Sequence, residues 1–422
     1  MARHRPEHID IRRTARQFLI EESPLMTTTL TEKTFAQLLT AAGGANGTRV
    51  NAQGRIEAAV APAFDYDPIT LAARGLRFRG PVRTNLLTNS QLSALGVAEG
   101  TTPPTVGVAT VDGEACSAVT FTPAMASGYP GSRWRPNSSA AAIVASTTYS
   151  TSSYVKLSRP LVGSEAINVY YTGSNGMGST NISAVNSAPY AERFTRVVMG
   201  NATPGNTGTI YPVVHIVSTL ASNLTVWICK GQVEVGATAS SYIPVPSTTP
   251  IARTADQIHI PNLQSQPWYN QREGTICARV AQASSLIPAA SMIFGITDAA
   301  GATSRMLVYF DSAGGISANC FDRGAQQAAT SIAGSAAPIG QVRKVAASWK
   351  QGRFIIQCDD KPAASVGLAS IPAYTGPTLW LGHRNNGADP FDGVIQDFVY
   401  WPKAANAAEI VTLTPETEII TG

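Results

Sequence analysis

Short runs of alternating apolar and polar residues recur along most of this chain, separated by turns rich in Gly, Ser, Asn and Pro. A period of two predicts β-strands, because successive side chains of a strand point to opposite faces. The first series of runs is Ala118–Phe121, Tyr154–Leu157, Ile167–Tyr171, Phe194–Val198, Val213–Val217 and Leu224–Ile228. The second is Gly274–Val280, Met292–Ile296, Met306–Phe310, Gly315–Cys320, Lys344–Trp349 and Phe354–Cys358. The pattern predicts a mainly β fold with two tandem antiparallel β-sandwiches.

The N-terminal segment, residues 1–47, carries a different pattern. Apolar and basic residues follow roughly helical spacing over Ile9–Glu22, and a capping-box sequence at Thr29-Leu-Thr-Glu32 opens a second run that Gly43 ends. We predict a short helical segment here, docked either on its own sandwich or on another subunit. The residues proposed for attachment, to another subunit or to a larger particle, are Arg12, Arg13, Arg16, Phe18, Phe35, Leu38 and Leu39.

The last apolar run, near residues 393–401, has apolar residues at both odd and even positions. One face would carry Val394, Gln396, Phe398 and Tyr400, and the other Ile395, Asp397, Val399 and Trp401. A strand that is apolar on both faces is typical of one covered on both sides. We therefore expect this strand to be buried on both faces.

Composition narrows the possible functions. At 422 residues the chain is too long for one core, and only 14% of residues are charged, against roughly 25% in ordinary soluble domains. A net charge of +4 is small for this length and implies no nucleic-acid partner. No apolar run is long enough to span a membrane, and the basic N-terminus has no secretory signal pattern. The five widely spaced cysteines are expected to be buried free thiols.

Four short motifs occur in order within residues 48–85 and just beyond: Val-Asn-Ala-Gln-Gly-Arg-Ile, Phe-Asp-Tyr-Asp-Pro, Arg-Gly-Leu and Arg-Thr-Asn-Leu-Leu. Together they resemble a module of tailed-bacteriophage spike and fibre proteins that precedes carbohydrate-binding sandwiches. The sequence departs from that pattern at Leu76–Pro81, where relatives more often carry an acidic residue. We expect this connector to be a β-hairpin that packs on the domain after it.

Two further motifs extend the resemblance. The run from Gln232 to Pro244 is similar to the last strand and exit of a carbohydrate-binding jelly roll in phage proteins, and Arg253-Thr-Ala-Asp256 is similar to the joint after it. Near the end of the chain come the hairpin Arg343–Cys358, a strand that ends at Leu381-Gly382, and Phe391-Asp-Gly393 leading into the last strand. These closing segments resemble a laminin-G or concanavalin-like lectin sandwich. The predicted domains are residues 1–47, a helical virion-attachment segment; 48–85, the connector; 86–246, a jelly roll; 247–256, a linker; and 257–422, the lectin-like sandwich.

No catalytic or metal-binding motif is visible. The sequence lacks a Gly-x-Ser-x-Gly elbow, a His-Glu-x-x-His motif, a P-loop and a Cys/His cluster. Gln232 and Glu234 alternate along one predicted strand face, and we interpret them as structural. Asp359 and Asp360 precede a proline and are interpreted as turn residues. We therefore predict no catalytic residue, no cofactor and no metal, although carboxylates that meet only in the fold leave a glycosidase open.

Sugar binding needs an aromatic face beside planar polar groups. Two segments offer such groups, and each has a structural alternative, packing beneath its own loop for the first and a solvated turn for the second. The candidates in the first are Tyr129, Arg133, Trp134, Arg135 and Asn137. Those in the second are His383, Arg384, Asn385, Asn386 and Asp389.

The resemblance therefore implies a structural protein of a tailed-phage virion, a head or tail spike or fibre, exposed on the particle surface. Its partners would be other virion proteins, further copies of itself, most often as a trimer in such proteins, and host-surface polysaccharide. Two alternatives stay open. One is a polysaccharide depolymerase, and the other is an architectural decoration or collar protein without a ligand.

Overall fold

The computed structural model describes residues 9–11, 18–21, 30–33, 38–68, 70–125, 131–173, 177–186, 190, 193–283, 290–298, 303–334, 340–385 and 389–413. Strands β1 to β9 are Ile9–Ile11, Phe18–Glu21, Leu30–Lys33, Thr40–Gly43, Thr48–Val50, Ile56–Ala58, Ala63–Tyr66, Ala73–Phe78 and Arg83–Asn85. Strands β10 to β20 are Gly96–Glu99, Thr105–Val111, Glu114–Phe121, Arg133–Pro136, Ala141–Ile143, Tyr149–Leu157, Ala166–Gly173, Met177–Ser183, Thr195–Ala202, Gly208–Ile216 and Leu224–Val235.

The remaining elements complete the chain. Strands β21 to β32 are Ile251–Arg253, Asp256–Ile260, Glu273–Gln282, Ala290–Thr297, Arg305–Asp311, Ile316–Asp322, Ala325–Ile332, Val342–Lys350, Arg353–Cys358, Ala364–Val366, Thr378–Leu381 and Gly393–Trp401. Helix α1 is Ala407–Thr412, and Asn406 and Glu409 form its capping box. The mainly β prediction is confirmed, and every strand named from alternation in the two series coincides with an observed strand.

Strands β10 to β20 form one antiparallel sandwich. One sheet has the order β10-β13-β19-β16-β17, with β14 also paired to β19, and the other has the order β11-β12-β20-β15-β18. Apolar side chains from both sheets, among them Phe121, Ile167, Val214 and Val226, are 0% exposed between them. We call this unit the inserted sandwich.

A second antiparallel sandwich surrounds the first in the sequence. Its sheets have the orders β3-β2-β1-β32-β23-β28-β29-β30, with β8 paired to β32 and β7 to β8, and β27-β26-β25-β24-β31-β22-β4. Strands β4 and β8 precede the inserted sandwich in the chain, yet they pair with β22 and β32, which follow it. We call this unit the enclosing sandwich. The inserted sandwich is therefore an insertion between its strands.

The connector hairpin of residues 63–78 differs from expectation in its partner. Strands β7 and β8 do form a hairpin, but Leu76, Arg77 and Phe78 pair with Gly393–Ile395 of the enclosing sandwich. The expected packing on the domain after the connector is made by the other hairpin, β5–β6, where Thr48 Oγ1 donates to the Tyr242 carbonyl at 2.7 Å. The connector thus contacts both sandwiches.

The predicted N-terminal helix is wrong at the described residues. Ile9–Ile11 and Phe18–Glu21 are strands, and β1 pairs with Val399 and Tyr400 of β32. Within the second predicted helix, residues 32 and 33 lie in β3 and residues 40–42 in β4, while Leu38 has helical backbone. An open strand edge satisfies the backbone of a short, β-branched segment, and this tertiary gain exceeds a weak helical preference.

The final strand, β32, is buried on both faces as predicted. All of its nine residues are buried. Helix α1 covers the outer face, where Ile410 packs with Val399 and Trp401. A β-bulge at Gln396 shifts the predicted alternation, so that Ile395 and Phe398 both face the main core.

A buried ion pair joins the points where the chain leaves and re-enters the enclosing sandwich. Arg79, after β8, is 0% exposed, and Asp256, at the start of β22, is 2% exposed. Arg79 Nε donates to Asp256 Oδ2 at 2.9 Å, and the Arg79 backbone N–H donates to the same oxygen at 2.7 Å. A Cβ on Gly44 or Gly47 would collide with this guanidinium. This ion pair therefore holds the two ends of the insertion together, and Gly44 and Gly47 leave the space that the guanidinium occupies.

Two more buried side chains, Asn85 and Arg253, fix the junction on the side of the inserted sandwich. Asn85, 0% exposed, donates from Nδ2 to the carbonyls of Gly231 and Ile243, and its Oδ1 accepts from the backbone of Leu87 and Val233. All of its hydrogen-bonding groups are engaged, which is what burial of an amide requires.

Arg253 holds the same junction from the linker. It is 0% exposed and donates from Nη1 to Ser241 Oγ at 2.6 Å and from Nη2 to the Pro81 carbonyl at 3.3 Å. Burial lowers the pKa of Arg253 to about 10. The Arg253-Thr-Ala-Asp256 motif therefore supplies two of the buried charges that set the junction.

Replacing Arg79 with Met should destabilise the protein by about 3–5 kcal/mol, because Asp256 would be left buried without its cation. Urea denaturation followed by tryptophan fluorescence measures the loss. Arg74→Met is the matched control in the same hairpin, since its pair with Asp67 is exposed and should contribute about 0–1 kcal/mol. Equal losses in the two variants would contradict a structural role for the buried pair.

Candidate functional site

Trp134, the aromatic residue of the first predicted sugar site, is 0% exposed and lies in the core of the inserted sandwich. The segment around it is strand β13 rather than a loop, and Trp134 pairs with Ala98 and Val214. Strand alternation turns the indole inward and the two flanking arginines outward. The prediction that Trp134 presents its face to a sugar is therefore wrong.

The two flanking arginines are already paired. Arg133 Nε donates to Glu99 Oε2 at 2.7 Å and Arg135 Nε to Glu99 Oε1 at 2.6 Å. Partial burial raises the pKa of Glu99, but these hydrogen bonds outweigh it and lower the pKa overall. Asn137 is exposed beside the strand, and Tyr129 lies outside the described residues. The strand face thus carries two arginines bound to one glutamate, and the indole between them is buried.

The second predicted site has a buried centre. His383 is 0% exposed; its Nε2 accepts from the Ile258 backbone N–H at 2.8 Å, and its Nδ1 faces the Arg384 carbonyl at 2.6 Å. Burial lowers the pKa of His383 to about 4, so the ring is neutral and structural. Arg384 and Asp389 form a part-exposed ion pair of 3.2 Å, Asn385 is half-buried, and Asn386 lies outside the described residues. Of this set, His383 therefore has a structural role, and Arg384 and Asp389 bind each other.

Few of the predicted attachment residues fall where the structure describes side chains. Leu38 and Leu39 are 4% and 6% exposed and belong to the core of the enclosing sandwich. They therefore dock on their own sandwich, the structural alternative for this segment. Phe18 lies in β2, and Arg12, Arg13, Arg16 and Phe35 are outside the described residues.

Residues interpreted from sequence as structural are so in the fold. Gln232 and Glu234 are 1% and 0% exposed, and they bind the backbone of the returning segment at Ser240 and Ile243. Asp359 has a φ of 51° in the turn after β29 and pairs with Arg343. All five cysteines are buried and free, as expected.

A cavity of about 260 Å³ lies where the connector meets the inserted sandwich. Hairpin β5–β6 and the β7–β8 hairpin form one side. The other side is the outer face of sheet β11-β12-β20-β15-β18, with the segment that leads into β18 and the returning residues 239–242. Its volume is close to the lower end of ligand pockets. Among the described residues, none of those predicted from sequence lines it.

Tyr154 provides the aromatic wall of this cavity. The ring is half-buried, its edge meets Tyr242 at 6.4 Å between centroids, and the Arg196 guanidinium lies 5.9 Å from its centroid. Burial raises the pKa of Tyr154, which the charge of Arg196 partly offsets, so the hydroxyl remains a neutral donor and acceptor. An aromatic ring with a guanidinium over it gives the cavity the combination of apolar and polar groups that is typical of small-ligand pockets.

The connector closes the cavity through a buried lysine. Lys230, 4% exposed, forms an ion pair of 2.5 Å with Glu114 and donates to the Ile56 carbonyl at 3.3 Å. Because the link runs from β20 to hairpin β5–β6, the position of the hairpin over the sheet is fixed. Neither a metal-binding group of His, Cys, Asp or Glu nor a helix able to cross a membrane is found in the part of the chain that the structure describes.

Residues 253–411 match the family model Laminin_G_3, described as the concanavalin A-like lectin/glucanases superfamily. This stretch supplies strands β22 to β32 of the enclosing sandwich, which agrees with the predicted likeness to a concanavalin A-like sandwich. The cavity lies against the inserted sandwich, outside most of that match. No match is found among curated proteins.

Solved structures give partial likenesses. One is the Ruminococcus gnavus IT-sialidase CBM40 bound to alpha2,6 sialyllactose, at 14% identity and a TM-score of 0.31, over 36% of this chain and 89% of that one. A second is the NanB sialidase of Streptococcus pneumoniae, at 14% identity and a TM-score of 0.30, over 37% of this chain and 26% of that one. A third is the SAP-like pentraxin of Limulus polyphemus, at 15% identity and a TM-score of 0.27, over 33% of this chain and 69% of that one.

The core position of Trp134 predicts a large loss of stability on truncation. Trp134→Ala should destabilise the inserted sandwich by about 3–5 kcal/mol, because it empties a fully buried site. Trp227→Ala, at a half-buried position of the same sandwich, should cost clearly less. Urea denaturation of both variants measures this, and an unchanged midpoint for Trp134→Ala would contradict the core position.

The neutral, buried His383 predicts a pH dependence of stability. Its folded pKa of about 4 lies below the ordinary value of about 6.5, so its contribution is present above about pH 6.5 and is lost as the pH falls toward 4. We expect a loss of about 2 kcal/mol between about pH 7 and about pH 5. Urea midpoints at the two pH values should differ in the native protein and differ less in His383→Gln. A residual slope is expected from His259, whose pKa burial also lowers.

Proposed function

We propose that this chain is a surface protein of a tailed-phage virion that binds host-surface glycan and does not cleave it. The observation that carries glycan binding is the cavity of about 260 Å³ with the half-buried Tyr154 ring and the Arg196 guanidinium in its wall. The match of residues 253–411 to a superfamily of lectins and glucanases supports the same class of ligand.

A cavity of about 260 Å³ favours a single sugar unit over an extended polysaccharide. A pyranose offers an apolar C–H face to Tyr154 and hydroxyl groups to the polar wall, where Thr48, Ser240 and Ser241 lie. A single such contact is weak. Several copies on one particle would raise the avidity, which fits the expectation of a homo-oligomer, most often a trimer in phage spikes.

Binding without turnover is supported by the carboxylates of the cavity. Asp65 Oδ1 accepts the Val50 backbone N–H at 2.8 Å, Asp112 pairs with Lys156 at 2.9 Å, and Glu114 pairs with Lys230 at 2.5 Å. A glycosidase needs one carboxyl group poised as an acid and a second as nucleophile or base across the scissile bond. A carboxylate that is held by a cation or by a backbone N–H is poorly suited to act as the acid, the nucleophile or the base of a glycosidase.

The virion location is supported by the sequence motifs shared with phage spikes and fibres. Three elements carry those motifs: the connector hairpin β5–β6, Asn85 and the Arg253-to-Asp256 joint. Their contacts hold the two sandwiches and the cavity together. Attachment to other virion proteins would then use surfaces other than Leu38 and Leu39, which the enclosing sandwich buries.

Purified protein should bind host cells and their extracted surface polysaccharide saturably, with no release of reducing ends in the same tubes. Tyr154→Ala should weaken binding by about tenfold or more, because stacking on an aromatic ring is lost, while Tyr154→Phe should retain most of it. Tyr211→Ala, on the other sheet of the same sandwich, is the matched control.

Circular dichroism checks that each variant is folded before binding is compared. Release of oligosaccharide would favour a depolymerase and contradict the non-enzymatic part of the proposal. Absence of binding to any host polysaccharide would favour an architectural virion component.

A further inference from the structure

The described residues that line the cavity carry an excess of positive charge. They include seven basic and three acidic side chains. Four of the basic groups have a carboxylate partner. These pairs are Arg49 with Glu57 at 2.7 Å, Arg74 with Asp67 at 2.6 Å, Arg77 with Asp392 at 2.8 Å and Lys230 with Glu114 at 2.5 Å.

Three arginines remain. Among the described residues, no carboxylate lies within ion-pair distance of Arg55, Arg193 or Arg196. Arg55 is exposed at the connector turn, and the other two are half-buried in the segment that leads into β18 and in β18 itself. The unpaired charges thus come from both sides of the cavity.

Packing directs these arginines toward the cavity rather than away from it. A Cβ on Gly113 would lie 3.1 Å from Arg55 Cζ, so this guanidinium lies against the β11–β12 turn, across from its own hairpin. A Cβ on Gly54 would lie 3.1 Å from Arg193 Cδ, so Arg193 reaches in the opposite direction, to the connector turn. The two side chains cross the gap between connector and sandwich.

Arg196 is held in a fixed orientation. Its Nε and Nη2 atoms both donate to Ser152 Oγ, at 3.2 and 2.8 Å, and its guanidinium lies beside the Tyr154 ring. A guanidinium has five N–H donors, so two on Nη1 and one on Nη2 are left at its end. That end is the part that matches two oxygens of a carboxylate or phosphate.

We propose that the cavity binds a saccharide bearing an anionic group, a carboxylate or a phosphate, and that Arg55, Arg193 and Arg196 hold this group while Tyr154 holds the sugar ring. The inference rests on the proposed glycan binding and names its chemical class. Asp65, a lining carboxylate that accepts from the Val50 backbone N–H, offsets one of these three charges, and the bound anion balances the others next to the aromatic wall, where Arg196 lies.

Isothermal titration calorimetry of the full chain tests the inference with oligogalacturonate as the carboxylate probe, mannose 6-phosphate as the phosphate probe, and maltohexaose as the neutral probe. We expect an acidic probe to bind at least about tenfold more tightly than maltohexaose, and to weaken at about 0.5 M NaCl because the sites are partly exposed. Which acidic probe binds more tightly identifies the anionic group.

Arg196→Gln should weaken binding of the acidic probe by about tenfold or more, since a bidentate, charge-assisted contact is lost. Arg55→Gln and Arg193→Gln should each weaken it by a smaller factor. Arg272→Gln, an exposed arginine of the enclosing sandwich that removes the same charge, is the matched control and should change nothing. Arg196→Lys, which keeps the charge without the fork, should recover only part of the affinity.

The outcomes separate this inference from the proposed function. Binding of neutral host glycan that needs Tyr154 but is unaffected by Arg196→Gln would overturn the anionic class and leave glycan binding intact. Equal affinity for free acetate or inorganic phosphate and for the acidic saccharide would overturn the saccharide as the ligand. Absence of binding to acidic and neutral saccharides alike would overturn both.

Discussion

The buried ion pair between Arg79 and Asp256 is the constraint on which the rest of the structure depends. The inserted sandwich is attached at two points of the chain, and this pair fixes both against each other inside the protein. A buried charge pair is a weak source of net stability, but it is intolerant of misplacement, since either partner alone would be an uncompensated buried charge. It therefore specifies the relative position of the two segments that enter and leave the inserted sandwich. Gly44 and Gly47 lack the Cβ atoms that would collide with the Arg79 guanidinium.

The cavity is a consequence of that fixed junction. Its two sides belong to different parts of the chain, the connector before the inserted sandwich and the outer face of a sheet within it. Both sides contribute side chains to its lining. Thr48 bonded to Tyr242, and Lys230 bonded to Ile56, hold the sides at a constant separation. Pre-organisation of this kind lowers the entropic cost of binding, which matters most where each contact with a sugar is small.

How far the sequence predicts this structure depends on the range of each signal. Alternation is local, so the strands of both sandwiches and the double-sided burial of β32 follow from it. Alternation over Arg133-Trp-Arg135 is consistent with an inward Trp134, whereas the Gly/Pro-rich residues around it favour a loop. The N-terminal strands depend on the edge of β32, almost four hundred residues away in the chain, as the pairing of Ile9 with Tyr400 shows. The cavity joins Arg55, Tyr154 and Arg196, and no local pattern connects them.

The nested order of the two sandwiches also constrains how the chain folds. The inserted sandwich is continuous from β10 to β20, so its contacts can form as soon as that segment is available. The enclosing sandwich is discontinuous: β32 is the partner of β1, β8 and β23, and the sheet is incomplete until this last strand arrives. Pairings of such large sequence separation form slowly, because loop closure must precede them. During synthesis the edges of β1 and β8 would therefore stay unpaired until β32 is made. An inserted sandwich that has already folded would shorten the effective loop between these strands and β32.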